Sequence, residues 1–85
     1  MKFKFKKGDQ VIIGHPVDDL VGMWAKNLGM DETIGKVGIV MQEHESVYRG
    51  EPYVKVTVAV GQGRVMSWNY LTRWLTPYKK KKKLG

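Results

Sequence analysis

Residues 53–60 read YVKVTVAV, and a valine at every second position is a pattern an α-helix cannot use. In a strand the same spacing lines Val54, Val56, Val58 and Val60 along one face and leaves Tyr53, Lys55 and Thr57 on the other. Valine's branched Cβ suits the pleated backbone for the same reason that it suits a helix poorly. GQG follows and then RVMSW, so the chain turns tightly and the two strands pair as an antiparallel hairpin. A lone hairpin with an apolar face is marginal in water. The rest of the chain must therefore supply strands that cover those valines.

Candidates are present on both sides. KFKFK alternates at period two, with Phe3 and Phe5 sharing a face, and Gly8-Asp9 turns the chain into QVII, where Val11 and Ile13 align. GKVGIVMQ is a further strand whose Val37, Ile39 and Met41 share a face, and HESVYRGEP reads as an exposed hairpin loop. NYLT reads as a single helical turn and RWLT as a last short strand that Pro77 stops. Between the early strands the period changes. Val17, Leu20, Val21, Trp24 and Leu28 form a stripe at helical spacing, Pro16 suits a first turn, Asp18 and Asp19 complement the dipole, Lys26 lies in the last turns and Gly29 can end the element. The spacing predicts an amphipathic helix over 16–28, with Trp24 packing it over one barrel mouth, and MDETIG as a connector. The expected fold is mainly β, a small barrel of five or six short antiparallel strands with that one helix inserted, over residues 1–77. Residues 78–85 are expected to form a disordered lysine-rich tail.

An 85-residue chain has room for one core. It has no cysteine, which rules out disulfides and thiolate zinc ligation and fits an intracellular protein. VIIG is too short for a signal-peptide core or a membrane span, so the expectation is a soluble, cytoplasmic protein without membrane insertion. The formal charge of +7 is unevenly placed. Lys2, Lys4, Lys6 and Lys7 stand at one end and Lys79, Lys80, Lys81, Lys82 and Lys83 at the other. Residues 8–78 hold six basic side chains against eight acidic ones, so the body is mildly acidic and the basic character belongs to the termini.

KKGDQVII followed by GKVGIVMQ resembles the KOW motif of SH3-like barrels, known in a ribosomal large-subunit protein and in a transcription elongation factor family. The matching positions are Lys7, Gly8, Asp9 and Val11, then Gly35, Lys36, Gly38 and Val40. The resemblance implies an SH3-like barrel in which the second glycine lets the strand bend and nearby loops and basic residues touch RNA or protein. This chain departs from the motif by inserting the predicted helix and the MDETI connector between its two halves. The interrupted arrangement is similar to small uncharacterised SH3-like proteins of bacteriophages, which would place the protein in a bacterial host cell, and distantly to MIB/HERC2-type domains. SWNYLTRWL is similar to the single-turn helix and final strand that close SH3 barrels. No ALYDY-like stretch accompanies it, so proline-peptide binding is not implied. Independently of any family, Gly35 sits where the connector must turn, and Gly38 removes a side chain where a curved strand approaches its neighbour.

Catalytic motifs are poorly represented. His15 precedes a proline, His44 lies between Glu43 and Glu45 without the three or four ligands a metal needs, and Ser46 and Ser67 lack a nucleophile elbow. GQGR lacks the lysine-serine end of a phosphate loop. The strand layout is similar to that of the plasmid-encoded trimethoprim-resistant dihydrofolate reductase, but RVMSW stands where its V-Q-I-Y pore signature would be. The expectation is a non-enzyme with no cofactor, no metal and no small-molecule substrate.

Binding residues are better represented. With Val65 inward, alternation would turn Met66 and Trp68 outward, and a bulge would reverse this. Exposed Trp68 or Trp74 beside Tyr53, Lys55, Arg64 and Arg73 would form a stacking platform for single-stranded nucleic acid or a protein hot spot; both tryptophans are equally suited to filling a small core. The first and last strands of such barrels lie close together, which would pool the terminal lysines into one patch for phosphate backbones. The leading expectation is a non-catalytic module contacting nucleic acid or a nucleoprotein through its basic termini. The alternative is a protein–protein adaptor or inhibitor, possible for a phage protein acting on its host, that uses the outer strand face around Tyr53, Trp68 and Trp74, or the helix.

Overall fold

The computed structural model describes residues 5–16, 19 and 22–78. They form a single curled antiparallel sheet of six strands: β1 (Gln10–Ile13), β2 (Val37–Val40), β3 (Ser46–Tyr48), β4 (Glu51–Gly61), β5 (Arg64–Leu71) and β6 (Leu75–Pro77). The fold is mainly β and barrel-like, as the alternating sequence demands. β4 is the long central strand, pairing with β5 along one edge and with both β2 and β3 along the other. β1 lies between β2 and β6. The inward side chains of Val11, Ile13, Val40, Val54, Val56, Val58 and Tyr70 are fully enclosed, and so is Leu71, the cross-strand partner of Tyr53.

The hairpin forms as its pattern requires, with Gln62 and Gly63 in left-handed conformation at the turn. Val54, Val56 and Val58 point inward; Val60 is half-exposed, because the register slips between Ala59 and Gly61. The cross-strand partners of the inward valines are Tyr70, Trp68 and Met66. These therefore share the inner face, and Val65 turns outward, 66% exposed. The alternation of β5 is thus opposite to the one that places Val65 inside.

Gly38 is buried, and a Cβ at that position would stand 2.5 Å from Val56 Cγ1 and 2.9 Å from Val58 Cγ2. β2 can cross this closely over β4 only because that side chain is missing. With Gly38 and Val40 facing in, Val37, Ile39 and Met41 face solvent. Gly35 adopts φ +82° at the turn entering β2, as the connector requires.

The predicted helix over 16–28 is not found among the described residues. Val17, Asp18, Leu20 and Val21 lie outside them; Gly22 to Ala25 are irregular, and only Lys26–Leu28 makes a 3₁₀ turn, followed by a second at Met30–Thr33. The cause is local. The Asp19 carboxylate accepts hydrogen bonds from the N–H groups of Met23 at 3.0 Å and Trp24 at 2.9 Å, donors that a helix would direct to backbone carbonyls. Gly22 adds φ +71°, outside any right-handed helix. Leu28, the last residue of the apolar stripe, is 70% exposed.

Side chains fasten this connection to the barrel instead. Trp24 meets the edges of Tyr70 and Trp74 at centroid distances of 5.9 and 5.4 Å, and its indole N–H donates to Asp31 Oδ1. Met30 is fully buried. The Tyr70 hydroxyl donates to Thr33 Oγ1 at 2.7 Å, and Thr33 in turn donates to the Met30 carbonyl at 2.7 Å. Burial pushes the Tyr70 phenol above its ordinary pKa of 10.0. Trp24 thus covers the core as expected, without a helix to carry it.

Two end elements also differ from expectation. Of KFKFK, only Phe5 and Lys6 are described; Phe5 is buried but not in a strand, and Asp9 Oδ2 bonds the Lys6 N–H to form a turn. The closing turn is Thr72–Trp74, later than NYLT, since Asn69 to Leu71 continue the pairing of β5 with β4.

Candidate nucleic-acid interface

β1 and β6 pair antiparallel, Val11 opposite Pro77, and the Tyr78 N–H donates to the Gln10 carbonyl at 2.9 Å. The root of the lysine tail is therefore bonded to the first strand. Lys7 lies three residues before Gln10, a span of at most about 11 Å even if extended. Lys6 and Lys7 line an open depression of about 380 Å³ together with Glu43 and His44. The Phe5 N–H donates to Glu45 Oε2 at 3.1 Å, which ties the N-terminal segment to the start of β3. Lys2 and Lys4 at one end, and Lys79 to Lys83 at the other, lie outside the described residues.

The structure divides the predicted aromatic platform. Trp74 is 3% exposed and belongs to the core, so it cannot present a stacking face. Trp68 faces inward opposite Val56 and packs partly buried against the core. Arg73 lies 3.4 Å from Glu51 Oε1, and Arg64 makes a long, exposed 3.9 Å pair with Glu32. Tyr53 and Lys55 do share the outer face of β4, as the alternation predicts, and Lys55 stands opposite Asn69.

A residue absent from the predicted set completes that face. Tyr48 lies two residues beyond Ser46, which pairs with Tyr53, so its ring falls on the same face as Tyr53. Tyr48 and Tyr53, with Gly22, Met23 and Asn69, line an open groove of about 250 Å³. The Arg49 guanidinium sits over the Tyr48 ring at 5.3 Å. Arg49 and Gly50 both take positive φ and form a two-residue hairpin turn, which sets the tyrosines on either side of it on one surface; RG within VYRGEPY hinted at a turn, and the register places the tyrosines.

Farther along the outer face, Val37 and Ile39 of β2 and Met41 just beyond it form an exposed apolar row. Among the described residues, no three His, Cys, Asp or Glu side chains gather where they could hold a metal ion, and no helix is long and apolar enough to cross a membrane. No protein-family model, no curated protein and no solved structure matches this chain.

Proposed function

We propose that this protein is a non-catalytic, SH3-like binding module that engages nucleic acid or a nucleoprotein through its pooled terminal lysines. The observation that supports this most is the β1–β6 pairing with its Tyr78–Gln10 bond, which brings the residue before the lysine run to within three residues of Lys7 on a body whose own charge is slightly acidic. Lysines gathered in this way neutralise several phosphates together and release their counterions, giving affinity with little sequence preference and a steep salt dependence. The acidic body repels the same polyanion and confines contact to that margin. Titrating short DNA and RNA at low and moderate salt, with the full chain and with a chain ending at Tyr78, tests the reading. Binding at low salt that weakens sharply without the tail supports it; no binding by either form at low salt refutes it.

One observation favours a second reading, the protein adaptor. Val37, Ile39 and Met41, 37–44% exposed, make an apolar row at alternate positions on one face, and such rows mark protein contacts. This moves the adaptor surface from Trp68 and Trp74 to β2. Retention of a partner protein by the native chain, lost on Ile39→Lys with oligonucleotide binding intact, would establish that role.

A further inference from the structure

We propose that the groove between Tyr48 and Tyr53 takes an unpaired base of a single-stranded nucleic acid. This rests on the polyanion reading above and narrows it from phosphate backbones in general to single strands. Tyr53 is half-buried in the central strand, between β3 and β5, so its ring is held by the sheet. Tyr48 is 41% exposed on the facing hairpin strand. Two rings on one surface with a groove between them offer π-faces to a flat heterocycle, and every base has such a face. In a duplex those faces are covered by neighbouring pairs, so this groove selects strands whose bases are free.

The surroundings fit the same ligand. Asn69 lines the groove with an amide that can both donate to and accept from a base edge. Arg49, stacked on Tyr48, and Lys55, opposite Asn69, form no ion pair among the described residues and bring positive charge to the groove's rim. Of the acids near the groove, Glu51 is matched by Arg73, and the Asp19 carboxylate is taken up by the Met23 and Trp24 amides. The groove and the depression beside Lys6 and Lys7 are lined from opposite ends of the segment 43–48. Glu45 accepts from the Phe5 N–H, next in the chain to Lys6, and Tyr48 is three residues further on, about 10 Å at the rise of an extended chain.

The test compares a short oligothymidylate with an abasic oligomer of the same length and phosphate count. The native chain should bind the base-bearing strand between about fivefold and a hundredfold more tightly, the range for one base stacked on an aromatic ring. Tyr48→Ala and Tyr53→Ala should each abolish most of that difference while leaving abasic affinity and its salt slope unchanged; Tyr48→Phe, which keeps the ring, should preserve it. Tyr48 is exposed, so its variant serves even if Tyr53→Ala does not fold. Amide shifts at Gly22, Tyr48 and Asn69 should follow the thymidylate and not the abasic strand. Equal affinity for the two strands overturns the groove proposal and leaves the lysine contact standing, whereas absence of binding to either removes both. Shifts at these amides with a proline-rich peptide, and none with the oligonucleotide, overturn it in favour of a protein partner.

Discussion

The β4–β5 hairpin and the connection over residues 14–36 were equally suggestive as sequence, and the chain realises them in opposite ways. In the hairpin, each strand's hydrogen-bond partners lie on the next strand along the chain, and period-two valines have one buried face to occupy. The connection has apolar residues at helical spacing, yet the N–H groups of Met23 and Trp24 go to the Asp19 side chain, and Trp24, Met30 and Thr33 dock individually on the barrel. Apolar spacing is decisive where backbone pairing enforces it. Where a loop needs only to cover a core, the same spacing can arise from separate docking contacts.

If docking holds the connection, deleting a docked side chain should cost as much as damaging the sheet. Met30→Ala should lower unfolding free energy by about 3 kcal/mol, a full core deletion, in chemical denaturation. Gly38→Ala should cost about 2 kcal/mol by forcing β2 away from Val56 and Val58, near the middle of the range for overpacking. A Met30 variant of native stability would show that the connection is merely draped over the sheet.

Tyr70 joins the two regions, and pH reads that joint. An unfolded tyrosine ionises near pH 10, whereas the buried Tyr70 resists ionisation. Native stability from this group is therefore complete below pH 10 and declines above it, as the unfolded chain loses a proton that the native chain keeps. Tyr70→Phe should flatten the difference in that alkaline window and cost about 1 kcal/mol at neutral pH through the lost bond to Thr33. Asp19→Ala should act more locally, speeding hydrogen exchange at Met23 and Trp24 while the hairpin amides keep their protection. The smallest effect belongs to Arg64→Ala, whose long, exposed pair with Glu32 also spans the two regions. Its loss should cost less than about 0.5 kcal/mol.

The sheet was legible because alternation, the GQG turn and the paired glycines of GKVG each have one structural use in a strand. The inward direction of Gly38 was not foreseen for its neighbours: Val37, Ile39 and Met41 look like a core face until the close crossing at Gly38 turns them out. The phase of β5 was open because one slipped residue near Ala59 decides whether Val65 or Trp68 faces the core. The helix was misread because Asp19, placed by sequence at a helix start, bonds two amides further along, and Gly22 adopts a left-handed turn. Tyr53 and Lys55 could be placed from alternation alone. Tyr48 could be placed only with the register of the β3–β4 hairpin in hand, and Trp74 is drawn inside by contact with Trp24, a long-range partner.

Whether the two basic ends act as one patch can be measured through the stoichiometry and salt slope for a short single-stranded oligonucleotide. Pooled ends predict one strand bound per chain, with the slope falling by about 3.5 when residues 79–85 are removed, roughly 0.7 for each of the five lost lysine–phosphate contacts. Two strands bound per chain, each with a slope unaffected by trimming the opposite end, would mean that the termini bind separately and that the β1–β6 pairing does not unite them.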